Sequence, residues 1–200
     1  SQGLSLGIIE SVTSEEYANI SNGISQRKEL VEPYTNYFVA RVEKDLNDAN
    51  TVFGGIITAV NRNTNSQAAS ELNREAYSAG VDFRQYLKEK TFYFDVESVI
   101  SHIRGSKEAI YRAQTSAARY FQRPDAHYIE LDTNRTSLTG TAGSIEFGKG
   151  SNGPWRFSES FSWSSPGLEL NDIGYLRATD KIEQSTSLSY VKTEPELIFR

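Results

Sequence analysis

The chain has 200 residues, no cysteine and a net charge of −5. The lack of cysteine excludes a disulfide framework and a thiolate metal site. The acidic balance argues against a nucleic-acid partner, because no basic stripe is present to neutralise phosphates. The sequence contains 11 Tyr and 10 Phe although only 38% of its residues are hydrophobic. A membrane barrel with a polar lumen has this composition, and a soluble β-sandwich can have it too.

Alternation of apolar and polar residues with a period of two predicts extended strands along the whole chain. Residues 50–60 are the most ambiguous, because both of their faces are apolar. Several runs are close to the roughly 9 to 11 residues of a tilted membrane-crossing strand. No apolar run approaches the roughly 18 residues of a membrane-spanning helix. The predicted strands are, in chain order, 4–8, 37–43, 50–60, 77–84, 92–97, 139–147, 155–163 and 182–190.

The links between these strands alternate in length. The short ones are rich in turn formers or charges, and they read "KDLNDAN", "LKEK", "GKGSNGP" and "KTEPE". The long ones are residues 13–35, 61–75, 104–136 and 165–181. Short turns at one end and long loops at the other are typical of an outer-membrane barrel. The sequence therefore predicts an all-β fold, an antiparallel up-and-down transmembrane β-barrel segment of about eight or nine strands.

The longest link is predicted to contain a short helix from Lys107 to Phe121, which Ser106 can cap and Pro124 ends. One side of this helix is apolar and consists of Ile110, Ala113, Ala117 and Tyr120. A lone helix of this length needs a packing partner. The partner is either the rim of the neighbouring loops or the lumen. In the lumen, the helix would form a loop constriction near the solute with Arg112, Arg119 and Arg123.

Each alternating strand offers one face to lipid and the other to a polar lumen. Phe92 and Phe94 would meet lipid. The residues predicted to line the lumen and contact the solute are Arg41, Glu43, Asp82, Arg84, Asp95, Glu97 and Arg156. Charges of both signs suit neutral polar solutes such as sugars, because they orient dipoles without selecting ions strongly. Glu159 falls on the apolar face of its strand, so either a bulge shifts the register or this segment faces protein.

Three stretches carry a family resemblance: "RKELVEPYTNYFVARVEKD", "YFQRPDAHYIELDTNRTSLTGTAG" and "FSWSSPGLELNDIGYLRATD". The chain resembles an uncharacterised family of Gram-negative envelope proteins. In these, a family-nine-like carbohydrate-binding domain precedes a C-terminal region expected to form an outer-membrane β-barrel. The resemblance implies a location in the outer membrane of a Gram-negative bacterium, with lipid as a partner. We expect residues 1–200 to be part of one barrel domain, as a fragment of a longer chain.

No motif for catalysis or metal binding is found, so we expect no enzyme activity, no cofactor and no metal. The histidines, His102 and His127, are isolated, and neither a metalloprotease helix nor a nucleophile elbow is present. Acidic loop residues lack the spacing of a calcium loop; they are Asp125, Asp132, Glu169, Asp172 and Asp180. Aromatic loop residues could stack on glycans or instead belong to an aromatic girdle or a loop core; they are Phe121, Tyr128 and Tyr175.

Two functional classes remain open. The first is the passage or uptake of polar solutes, such as sugars or oligosaccharides, through the outer membrane. The second is a binding function. It would belong either to a surface or assembly scaffold that anchors a carbohydrate-binding module, or to a soluble β-sandwich binding domain. A scaffold would have glycans or other envelope proteins as partners. Conductance in planar bilayers would separate a passage protein from a plugged scaffold.

Overall fold

Antiparallel strands dominate the computed structural model, which describes residues 3–64 and 68–192. The strands are β1 (Leu4–Thr13), β2 (Glu16–Ser21), β3 (Gln26–Glu32), β4 (Thr35–Leu46), β5 (Thr51–Arg62), β6 (Asn73–Leu87), β7 (Phe92–Gly105), β8 (Ser137–Lys149), β9 (Trp155–Ser164) and β10 (Lys181–Tyr190). The helical elements are a 3₁₀ turn (Ala68–Glu71) and one α-helix, α1 (Lys107–Thr115). The prediction of an all-β fold with a short helix in the longest link is confirmed.

Eight of the strands form one antiparallel sheet in the order β1-β4-β5-β6-β7-β8-β9-β10. All eight strands predicted from alternation belong to it. Strands β2 and β3 form a separate hairpin between β1 and β4. The sequence did not predict this hairpin, because its strands are short and mostly exposed.

The eight-stranded sheet is open, since β1 and β10 each pair on one side only among the described residues. An open sheet of this kind is equally compatible with part of a barrel and with one layer of a β-sandwich. The predicted alternation of the links is present, with short turns at 47–50 and 88–91 and long links at 106–136 and 165–180. The predicted turn "KTEPE" lies largely outside the described residues.

Helix α1 begins where the sequence places it but ends six residues earlier than predicted. The Ser106 hydroxyl accepts a hydrogen bond from the Ala109 amide at 3.0 Å, as expected of an N-cap. The predicted end at Phe121 is wrong, because the chain leaves the helix at Ser116. The Ser116 hydroxyl donates to a helical carbonyl three residues back, and hydroxyls of this kind compete with helical bonds. Tyr120, placed on the apolar side of the helix, is instead half exposed with a φ of 53°.

The two faces of the large sheet differ in chemistry. The face that carries Phe83 and Phe94, here called the apolar face, is exposed over most of its area. The opposite face, here called the polar face, carries charged side chains near the short turns. Near the long links it carries a buried core. This core consists of Val60, Ala76, Ile103 and Leu138 from the sheet and Ile110 and Phe121 from the longest link.

Candidate functional site

A groove of about 780 Å³ lies on the polar face, between β4 and β8. Its charged side chains are Arg41, Glu43, Asp45, Asp82, Arg84, Asp95 and Glu97. The structure therefore brings together six of the seven residues predicted to line a lumen. The seventh, Arg156, has the same face parity along β9 but is exposed outside the groove. Asp45 was not predicted, although it continues the period-two pattern of its strand.

Arg41 links two strands that are not neighbours. Its guanidinium donates to both Asp82 carboxylate oxygens, at 2.8 and 3.1 Å, and to Glu43 at 3.0 Å. Strand β5 runs between Arg41 and Asp82, and its Gly54 lies opposite both Glu43 and Asp82. A Cβ atom at position 54 would overlap the Asp82 carboxylate. The pair thus depends on a residue without a side chain, a role that glycine in a strand often has.

Further along the groove, Arg84 donates to both oxygens of Asp95, at 2.6 and 2.9 Å. The Arg84 side chain is 51% exposed, so solvent reaches this pair. Glu97 is exposed on the same face. The charged lining comprises two guanidinium groups and five carboxylates. The groove therefore offers donors and acceptors for polar groups and carries an excess of negative charge.

The three arginines predicted to form a constriction each pair with a carboxylate. Arg119 is buried and pairs with Glu169. Arg112 pairs with Glu71 at the surface, and Arg123 pairs with Asp180. None of these three arginines lines the groove.

The other candidates from the sequence are placed as follows. The His102 ring nitrogen Nδ1 lies 2.7 Å from the Thr139 hydroxyl, and His127 is exposed. Phe121 belongs to the buried core of the polar face, whereas Tyr128 and Tyr175 are exposed. Within residues 3–64 and 68–192, no group of three or more His, Cys, Asp or Glu side chains is arranged to hold a metal ion.

Glu159 stays on the apolar face. The pairing of β9 with β8 and β10 runs without a register shift, so the interpretation of Glu159 as a bulge is wrong. Its carboxylate accepts hydrogen bonds from the Gln184 amide and from the Thr186 hydroxyl, the latter at 2.5 Å. These neighbours form a small polar patch within the apolar face.

Comparison with known families decides one point. The chain matches the family described as Domain of unknown function (DUF5916) over residues 1–200. The chain belongs to this family. No curated protein and no solved structure matches it. Membership in DUF5916 agrees with the predicted resemblance to an uncharacterised family. The outer-membrane location and the carbohydrate-binding module remain predictions for this DUF5916 chain.

Proposed function

We propose that this DUF5916 chain forms part of an outer-membrane β-barrel through which polar solutes, such as sugars and oligosaccharides, pass. The observation that carries the proposal is the contrast between the two faces of a single sheet. One face is apolar and exposed across eight strands, and the other holds a charged groove. Lipid outside and a polar lumen inside would satisfy both faces.

The extent of the apolar face supports a lipid contact. Large apolar side chains are exposed on strand after strand; they include Leu6, Val42, Ile57, Val81, Ile100, Ile145, Phe161 and Ile182. Soluble monomers rarely expose contiguous apolar patches larger than a few hundred Å². Tyr77 and Leu87 lie ten residues apart on β6. At about 3.3 Å per residue and a tilt of about 40°, they delimit a band about 25 Å tall, the height of a barrel's lipid-facing belt.

The side chains at the two ends of this band favour contact with a lipid bilayer rather than with a second layer of protein. Near the short turns, the rings of Phe92, Phe147 and Phe157 lie 5.8 to 6.4 Å apart. The ammonium of Lys88 lies 5.7 Å from the Phe92 ring centroid. At the opposite end, the Tyr77 hydroxyl donates to a side-chain amide oxygen at 2.7 Å. A lysine at one edge and a tyrosine at the other are amphipathic side chains of the kind found at membrane interfaces.

The groove supports passage of polar rather than apolar solutes. Its paired charges at Arg41, Asp82, Arg84 and Asp95 are partly exposed, so their remaining donors and acceptors can bind the hydroxyl groups of a solute. Mixed signs suit neutral polar solutes. The excess of carboxylates would disfavour anions.

A labelling experiment tests the lipid contact on adjacent residues of β8. Ile145→Cys lies on the apolar face and Ser144→Cys in the groove. In the full-length protein in phospholipid vesicles, we expect Ile145→Cys to react with a membrane-embedded maleimide and to resist a water-soluble one. Ser144→Cys should behave oppositely. Equal labelling of both positions from water would favour the soluble β-sandwich.

A flux experiment tests passage itself. Vesicles that contain the full-length protein should swell in isotonic monosaccharide faster than protein-free vesicles, because the solute enters with water. Protein with no swelling and no bilayer conductance would contradict passage and favour a scaffold.

A further inference from the structure

A buried ion pair joins two long links, 106–136 and 165–180, here together called the loop plug. The Arg119 side chain is 1% exposed and pairs with Glu169. Two of its guanidinium nitrogens, Nε and Nη2, also donate to the Leu168 carbonyl oxygen, at 2.9 and 2.6 Å. The side chain of one link thus binds both the backbone and the carboxylate of the other.

Further bonds make the loop plug one unit. The third guanidinium nitrogen of Arg119, Nη1, donates within its own link to the Ala113 carbonyl and to the Ser116 hydroxyl, each at 3.2 Å. Thr179 donates its amide to the Ala118 carbonyl at 2.9 Å. The segment that follows α1 is therefore fixed to the second link through both side-chain and backbone contacts.

The loop plug is also fixed to the polar face of the sheet. The Glu169 amide donates to the Ser101 hydroxyl on β7 at 2.9 Å. A Cβ atom at Gly140 on β8 would overlap the backbone of Leu168, so the second link approaches the sheet as closely as glycine permits. Ile110 of α1 is fully buried in a cluster whose sheet members are Val60, Ala76, Ile103 and Leu138.

The groove begins where the loop plug ends. Ser101 contacts the plug, and Val99, two residues away on the same face of β7, lines the groove. On β8, Gly140 lies under the plug, and Ala142 lines the groove. The loop plug thus stands next to the groove on the polar face rather than outside the rim of the sheet.

We infer that the loop plug is a fixed constriction that limits the size of the solute, and that Arg119 holds it in place. Its role in passage rests on the proposed function. Arg119 is a positioning residue, since its donors are taken up by protein groups and it does not line the groove. Removing Arg119 leaves the Glu169 carboxylate buried without its cation, which is strongly unfavourable. The second link should then leave the polar face.

The test compares the full-length protein with two variants, Arg119→Ala and the double variant Arg119→Gln/Glu169→Gln. The double variant leaves no unpaired charge, so it remains usable if Arg119→Ala does not fold. The control is Arg112→Ala, whose ion pair with Glu71 lies at the surface of the same link. Two quantities are measured: swelling of vesicles in mono-, di- and trisaccharide, and hydrogen exchange of residues 106–136 and 165–180. In the Arg119 variants we expect several-fold faster trisaccharide entry and faster hydrogen exchange in the plug, with the amides of β6 and β7 still protected. Arg112→Ala should leave both unchanged.

A tether separates release of the plug from general damage. Cysteines at Ala118 and Thr179, whose backbones are hydrogen-bonded, should restore the size limit of the Arg119→Ala protein when oxidised and lose it again when reduced. Unchanged exchange in the plug would overturn the role of Arg119. Faster exchange with unchanged trisaccharide entry, in a protein that passes monosaccharide, would overturn the constriction alone. If all variants are impermeable although the plug is released, the proposed function and the constriction both fail.

Discussion

The two ends of the polar face use arginine differently. At the loop end, Arg119 is 1% exposed, and protein groups accept from all three of its guanidinium nitrogens. In the groove, Arg84 is 51% exposed and forms one bidentate pair with Asp95. A buried charge without its partner is costly, whereas an exposed pair exchanges readily with water and contributes little. The buried charge at the loop end therefore stabilises the structure, whereas the exposed charges in the groove can bind a solute.

The largest expected loss of stability comes from breaking the buried pair. Arg119→Ala should lower the free energy of unfolding by about 3–5 kcal/mol, because Glu169 remains buried and unpaired. Urea titration of the detergent-solubilised protein measures this loss. Arg112→Ala is the control, since its half-exposed pair should contribute about 0–1 kcal/mol. Equal losses in the two variants would show that burial does not distinguish the ends of the face.

The apolar contact between the plug and the sheet should come next. Ile110→Ala should lower the free energy of unfolding by about 2–5 kcal/mol, because it leaves a cavity in the buried core of the polar face. The exposed Tyr120 provides a control, and Tyr120→Ala should change the unfolding midpoint much less. A small effect of Ile110→Ala would mean that the plug does not pack on the sheet in solution.

In the groove, a substitution at Gly54 should lower the free energy of unfolding more than the loss of one charged side chain does. Gly54→Ala places a methyl group against the Asp82 carboxylate and should displace it from Arg41. Overpacking in a core costs about 1–3 kcal/mol, and the cost here should lie at the lower end because the Asp82 side chain is 30% exposed and can turn aside. Gly55→Ala is the matched control, because a Cβ atom there would meet its nearest neighbour at 3.7 Å. The two variants should differ both in unfolding free energy and in monosaccharide entry. Identical behaviour would contradict the close approach at Gly54.

The smallest effect on stability, with an effect on selectivity, is expected for Arg84→Ala. The exposed pair contributes about 0–1 kcal/mol to folding. Its removal leaves one guanidinium among five carboxylates in the groove, so the reversal potential in a salt gradient should shift toward cations. Ser144→Ala, which leaves the charge of the groove unchanged, is the control. An unchanged reversal potential would show that ions do not pass through the groove.

The sequence predicts local features of this fold well and non-local ones poorly. The alternation at Phe92 to Glu97 is a property of a few neighbouring residues, and so is the cap at Ser106. The burial of Arg119 depends instead on its pairing with a link some 50 residues away. Gly54 offered a partial signal, because paired glycines in a strand indicate a close approach. Whether the sheet closes depends on what meets β1 and β10, which alternation does not encode.

The alternating lengths of the links also bear on how the sheet assembles. Strands β6 and β7 are joined by residues 88–91, whereas residues 106–136 separate β7 from β8. Loop-closure entropy grows with the logarithm of length, so bringing β8 to β7 costs about 2 kcal/mol more than bringing β7 to β6. The hairpins β4–β5, β6–β7 and β8–β9 should therefore form first and then associate. Since the buried cluster under α1 draws on β5, β6, β7 and β8, the loop plug finds its complete docking surface only after all three hairpins have joined.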